Sequence, residues 1–304
     1  MTELPARAAV PGIPPELTGR LAAAGLEPAQ VASIVEAALD EDLAGGTDVT
    51  TGATVRPGTR GTADLAARSA GVVAGLPVAA LAFWLAPGGA EVTVTFRAAD
   101  GDRVRPGDPV LTVSGPVGAI LTAERTALNL LCHLSGVATL TRQFADAVAG
   151  TRARIRDTRK TLPGLRALQK YAVRCGGGVN HRMSLSDAAL IKDNHVAAAG
   201  SVGAAFAAVR RAAPGLPVEV ECDTLEQVAE ALEAGADLIL LDNFSVAGLA
   251  AAVRLTAGRA KLEASGRITV DTAAAIAQTG VDYLAVGALT HSAPVLDIGL
   301  DLLE

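Results

Sequence analysis

Hydrophobic and polar positions follow two different rhythms along this chain. Up to about residue 150 the pattern is mixed. Helical spacing predicts helices over 16–24 and 28–42; Pro28 suits a first turn and Gly45-Gly46 a stop. Residues 62–68 and EVTVTFR (91–97) alternate as strands. In DGDRVRPGDPVLTVSGPVGAIL two Gly-Asp turns flank short Val/Leu strands, and Gly115-Pro116 ends the last. A helix over 122–149 follows, with Leu128, Leu131, Leu134 and Val137 as its buried stripe. This half reads as a small α/β sandwich, preceded by a loose arm over 1–15. After residue 150, short apolar runs (ARIRD, AALIK, PVEVEC, ADLILLD, KLEA, DYLAVG) alternate with helical stretches at 163–174, 202–213, 224–234, 245–257 and 271–279. Repeated βα of this kind predicts a parallel sheet or barrel. Six strands fall short of the eight in a full barrel.

Residues 69–90 carry no charge over a length that could span a bilayer. Gly71, Gly75 and Pro77 break the stretch early and Pro87-Gly88-Gly89 closes it. The expectation is a short strand, GVVAG, and a buried helix, PVAALAFWLA, not a membrane span. The Gly-Asp hairpins are similar in local shape to those of lipoyl- or biotin-carrying modules. A carrier needs a modifiable lysine, and none precedes Lys160.

Composition narrows the picture. Half of the 304 residues are hydrophobic, enough for a substantial core, and 3% are aromatic. The net charge of -6 argues against a nucleic-acid groove. Cys132, Cys175 and Cys222 stand alone, with neither zinc nor disulfide spacing, and the N-terminus has no apolar signal core, so a reduced cytoplasmic setting is expected. Within this acidic chain, residues 156–195 concentrate Arg156, Arg159, Lys160, Arg166, Lys170, Arg174, His181, Arg182, Lys192 and His195. Three of the chain's four lysines lie there, against twenty-two arginines elsewhere and within it. Arg166, Lys170 and Arg174 have helical spacing and read as a solvated helix face. The others read as a site for a polyanionic small molecule.

The ends of the six strands carry Thr158-Arg159-Lys160, Lys192-Asp193-Asn194, Glu221-Cys222-Asp223, Leu241-Asp242-Asn243, Glu263-Ala264-Ser265-Gly266 and Gly287-Ala288-Leu289-Thr290-His291. Barrel active sites draw on several strands at that end. Ser265-Gly266 and Gly287, on the last two junctions, suit phosphate, and His291 could add a donor. Glu221 and Asp242 among so many cations suggest a divalent metal, or a substrate atom that becomes positive; otherwise they neutralise Lys160 and Lys192. Arg125, near a helix start, reads by itself as a surface ion-pair partner of Glu124.

The motifs AERTALNLLCHLSG, DTRKTLPGLRALQKYAVRCGGG, NHR, LIKDNH, VEVECD, LLDN, LEASG and VGALTHS, with EDLAGGTDVTT near the start, resemble in order and spacing the quinolinate phosphoribosyltransferase family. The resemblance implies an N-terminal α/β sandwich domain (1–134 with the arm), an incomplete, seven-stranded α/β barrel (135–290), and a tail over 291–304 that packs back on the first domain. It implies a homodimer, larger assemblies remaining open. It implies transfer of the phosphoribosyl group of phosphoribosyl pyrophosphate to quinolinate with decarboxylation, assisted by Mg²⁺. Carried over by motif, Thr158, Arg159, His181, Arg182 and Lys192 would hold quinolinate, with Arg125 reaching it from the partner subunit. Lys160 would contact the phosphoribosyl donor, Glu221 and Asp242 would face ribose and metal, and Ser265, Gly266, Gly287 and His291 would take phosphate. Arg267, Ser184 and Val179 depart from the residues common in relatives. Competing readings are a same-fold paralogue of the molybdate-transport-associated branch with another acceptor, and a non-catalytic phosphate or nucleotide sensor.

Overall fold

The structure is a computed structural model and describes residues 12–303. The expected arm over 1–15 lies mostly outside the described residues. The described chain forms two compact units: residues up to 139 with 163–176 and 293–303, and residues 140–162 with 177–292. The units are therefore discontinuous in sequence, and 163–176, read above as the barrel's first crossover helix, belongs to the first.

In the first unit, strands β1 (Arg60–Ala67), β3 (Thr93–Phe96), β5 (Pro109–Pro116) and β12 (Ile298–Leu302) form an antiparallel sheet in the order β12-β1-β5-β3. A small ribbon pairs β2 (Gly71–Val72) with β4 (Arg103–Val104). The C-terminal strand β12 lies along β1, with an Arg68–Asp301 ion pair at 2.6 Å. The charge-free stretch becomes the helix Leu76–Leu85, buried from Leu76 to Phe83 and packed on the helices Pro15–Ala23 and Pro28–Leu43. Among the described residues no helix is long and apolar enough to cross a membrane. A short helix, Val49–Thr54, was not expected; Asp48 caps it by accepting from the Thr51 N–H at 2.9 Å. The long helix runs Val117–Ala147 and so begins directly after Pro116, ahead of the expected cap at Thr122. The Thr122 hydroxyl instead reaches the Asp48 carboxylate at 3.3 Å.

The helix Arg166–Cys175 corrects one expectation. Arg174 is exposed, but Leu168 through Val173 are buried, and Lys170 has no exposed surface. The polar side chains are hooks, not a wetted face. Gln169 donates to the His133 ring at 2.9 Å, Tyr171 Oη to Asp100 at 2.5 Å and Arg174 to the Ala24 carbonyl at 2.6 Å. Sequence spacing alone could not separate the two, because charged residues on helices are mostly solvated.

In the second unit all six predicted strands are present: β6 (Arg154–Arg156), β7 (Ala189–Ile191), β8 (Val218–Cys222), β9 (Leu238–Asp242), β10 (Lys261–Ser265) and β11 (Tyr283–Ala285). They form one parallel sheet in the order β6-β11-β10-β9-β8-β7. A single bridge, Arg156 with Val179, extends it beyond β6. That bridge stands in the seventh position, which explains why no apolar run announced a strand there. Among the described residues no ladder joins Val179 to β7, so the barrel is open along this seam. Across it, Arg182 Nη1 donates to the carbonyl of Ala188 at 2.9 Å, just before β7. The helices Val202–Ala212, Leu225–Glu233, Val246–Thr256 and Val270–Ala277 each begin behind a hydroxyl cap. Ser201, Thr224, Ser245 and Thr269 accept backbone N–H bonds that would otherwise be orphaned, which fixes where each helix leaves its strand.

Candidate active site

A pleated strand sends alternate side chains to opposite faces. In β8, Val218, Val220 and Cys222 are buried on one face while Glu219 and Glu221 share the other. Glu219 stands in register with Leu190 of β7, Glu221 with Leu240 of β9, and Asp242 with Ser265 of β10. Leu190, Leu240, Glu263 and Ala285 line the inner part of one cavity of about 370 Å³. Thr158, Arg159, Lys160, His181, Arg182, Lys192, Glu221, Asp242 and Ser265 complete it. Nine of the candidate residues, contributed by separate strand ends and the seam loop, thus face one space.

Gly266, Gly287 and His291 flank this group. A Cβ on Gly287 would stand 3.0 Å from Lys160 Cδ and 3.3 Å from His291 Nε2, so the glycine lets the lysine stem lie against the backbone. Thr290 donates to the Lys160 carbonyl at 2.8 Å and fixes the base of that residue. His291 has Nδ1 on the Ser292 hydroxyl at 2.6 Å. Gly266 has φ +106, and a Cβ there would collide with the Asn243 side chain. Arg267, the departure beside it, adopts φ 48, a left-handed conformation uncommon for a side-chain-bearing residue. Val179 departs without strain, since its N–H and carbonyl both bond to β6 and the residue after it. Ser184 sits in a loop closed on Asp187, which accepts from the N–H groups of Met183 and Ser184 at 2.6 and 3.0 Å. Arg125 lies in the first unit, exposed on the helix Val117–Ala147.

The cavity holds both charge signs. Arg159 and Arg182 are two of its cations. Arg159 Nε is buried and has no hydrogen-bond partner. Burial first, then repulsion from Arg159, pulls the Arg182 guanidinium below its ordinary range. Two guanidinium groups lining one cavity suit a ligand with two carboxylates, each held through paired N–H donors. Lys192 is ion-paired with Glu221, and Asp242 accepts from Asn243 Nδ2 at 2.6 Å. These bonds engage one oxygen of each acid, Glu221 Oε2 and Asp242 Oδ2. Two oxygen donors facing one space suit Mg²⁺, which takes one or two carboxylates and completes its shell with water and phosphate.

Beneath the cations lies a buried layer that the strand-end reading did not assign. His181 Nε2 is 2.6 Å from Glu219 Oε2, and Arg156 Nη1 is 2.5 Å from Glu263 Oε2. Burial raises both glutamic acids above the usual carboxylate range, and Glu219 adds repulsion at Glu263. His181, Glu219 and Glu263 bring ligand atoms within 4.8 Å of one another, as a metal site would. The Arg156 guanidinium already supplies positive charge there, pairing with Glu263 and approaching Glu219. The Arg182 N–H donates to the His181 Nδ1 at 2.7 Å, so both ring nitrogens have partners within the protein while the residue lines the cavity. The signal was present in VEVEC, whose two glutamates share the strand's interior face.

Comparison with known proteins agrees with this architecture. Residues 48–135 match the model of the quinolinate phosphoribosyl transferase N-terminal domain, and residues 137–301 that of the C-terminal domain. The chain is 57% identical over 271 residues to the nicotinate-nucleotide pyrophosphorylase [carboxylating] of Mycobacterium leprae, covering 88% of this chain and 95% of the relative. It is 43% identical to a probable enzyme of the same name from Bacillus subtilis, over 79% of this chain and 83% of that one. The crystal structure of NadC from Streptococcus pyogenes superposes with a TM-score of 0.86 at 44% identity, covering 92% of this chain and 99% of that chain. With both domain models matched in order and relatives this similar over most of their length, the chain belongs to the quinolinate phosphoribosyltransferase family.

Proposed function

We propose that this protein transfers the phosphoribosyl group of phosphoribosyl pyrophosphate to quinolinate with loss of CO₂, giving nicotinate mononucleotide and pyrophosphate, a step of NAD biosynthesis. The observation that carries this reading is the shared cavity, lined by two mutually repelling guanidinium groups, two lysines and two strand-end carboxylates, Glu221 and Asp242. Arg159, Arg182 and Lys192 bind and orient the two carboxylates of quinolinate, the arginines through paired N–H donors. The ring nitrogen attacks the ribose anomeric carbon as its bond to the pyrophosphate oxygen breaks. Glu221 and Asp242 stabilise the positive charge that develops on the sugar, as carboxylates do in glycosidic chemistry. Lys160 meets the donor's phosphates, with Ser265, Gly266, Gly287 and His291 beside it. Mg²⁺, held through Glu221 and Asp242, would neutralise the departing pyrophosphate. Once alkylated, the ring nitrogen is positive. The carbon–carbon bond to the adjacent carboxylate then breaks, its electron pair stays on the ring carbon beside that nitrogen, CO₂ leaves, and the carbon takes a proton from water. The three cysteines are free, which suits a reducing, cytoplasmic setting.

The test is turnover with CO₂ release followed directly. Purified protein with Mg²⁺ and the phosphoribosyl donor is expected to consume quinolinate far faster than nicotinate. Equal rates would favour a paralogue with another acceptor, and donor binding without any turnover would favour a sensor.

The protein acts as a homodimer in this reading, with Arg125 completing the partner's quinolinate site. Arg125→Ala alone should be nearly inactive at ordinary quinolinate concentrations. Mixed in equal amounts with an inactive Lys192→Ala protein under subunit exchange, half of the dimers are mixed and each carries one intact site of two, so about a quarter of wild-type activity should return. Absence of recovery in verified mixed dimers would place Arg125 outside a shared site.

A further inference from the structure

Barrel interiors are normally filled by branched apolar side chains. Here Glu219 and Glu263 occupy that position with side chains 4% and 0% exposed. Burying charge in a core that apolar residues could fill is costly, so the network calls for a reason. Its geometry supplies one. Arg156 on β6 reaches Glu263 on β10 at 2.5 Å, approaches Glu219 on β8 at 3.9 Å, and packs 4.9 Å from the centre of the Tyr283 ring on β11. Its Nε also donates to the carbonyl of Asn180 at 3.5 Å. The network is thus anchored in four strands and directed at residues 180–182, the segment beside the open seam. Within that segment the Arg182 N–H can only donate, so His181 Nδ1 accepts and the ring proton sits on Nε2. That proton points at Glu219 Oε2, 2.6 Å away.

We infer that Glu219, backed by Arg156 and Glu263, is a positioning residue: it locks the His181 ring in one tautomer and thereby holds the Arg182 backbone where its guanidinium can grip a dicarboxylate. The inference rests on the reading of the cavity as a quinolinate site. Side chains that orient a histidine by its second nitrogen serve this purpose in many active sites. Glu219 needs no contact with substrate, and what it must supply is a hydrogen-bond acceptor at a fixed point. Glutamine can supply that acceptor and methionine, of similar length, cannot.

The imidazole ¹⁵N spectrum of the wild-type protein is read first, in a chain with four histidines. His181 is expected to show a single Nε2–H tautomer, and averaged nitrogen shifts would overturn the inference whatever the activity. Kinetics follow. In Glu219→Met the quinolinate KM should rise about tenfold, the scale of one lost charge-assisted hydrogen bond, while the phosphoribosyl pyrophosphate KM stays within about twofold. Glu219→Gln should return the quinolinate KM to within about threefold of wild type and restore the fixed tautomer. A folded Glu219→Met with unchanged quinolinate KM would refute the role. So would a Glu219→Gln whose quinolinate KM is as high as that of Glu219→Met, since the charge itself would then be needed. Should Glu219→Met not fold, the wild-type spectrum and the Gln variant decide. If wild-type protein does not use quinolinate, the functional reading fails while the tautomer still judges the network.

Discussion

Asp242→Asn will lower kcat by about a hundredfold or more, the usual scale for removing one preorganised electrostatic contact to a transition state. The carboxylate lies at the end of β9, in register with Ser265, and its Oδ2 is already oriented by Asn243 at 2.6 Å. Such a group costs no reorganisation as the sugar turns positive. Donor affinity should change less than turnover, because the ground-state donor carries that charge only weakly. Glu221→Gln is expected to behave similarly, with an added rise in the quinolinate KM because Lys192 loses its ion-pair partner. Steady-state kinetics paired with calorimetric titration of the donor separates the two effects. A kcat within about threefold of wild type in both variants would remove these acids from the chemistry and favour a binding protein.

Arg159→Ala will raise the quinolinate KM by about a hundredfold, as expected when a hydrogen-bonded charge pair loses one member. Arg159 lines the cavity beside Arg182, where its guanidinium can offer paired N–H donors to a carboxylate. Arg159→Lys should recover only part of the loss, because an ammonium cannot offer two parallel donors to a carboxylate. The same substitutions should barely alter the slow reaction with nicotinate, which has no second carboxylate. Equal losses with both acids would mean that Arg159 serves the donor or the fold instead. Removing one of two repelling guanidinium groups should also leave the unliganded protein no less stable, which thermal melting without ligand checks.

The sheet of the second unit was legible because its short apolar strands alternate with helical stretches. Polar residues after each apolar run also marked the cavity, and Thr158 through Ser265 do line it. Other features were not legible for physical reasons. Lys170 has the spacing of a wetted face, and its burial is set by neighbours far away in sequence. The segment at Val179 contributes one bridge and so carries no strand period. Glu219 sits inside an alternating strand whose polar face would point to water in an isolated sheet, but points inward when the sheet curls. His181 was carried over by motif, and the bonds of its ring to Glu219 and to the Arg182 N–H show only in the geometry.

The open seam between Val179 and β7 has a bearing on how this scaffold can change. A backbone ladder tolerates no added residue without slipping its register, whereas a contact made by one guanidinium does. Insertions or grafts between residues 183 and 187 can therefore reshape the acceptor end while the strands presenting Glu221, Asp242 and Ser265 keep their alignment. New acceptor preferences are best sought by diversifying that short loop, with the sugar-phosphate half left as a constant frame.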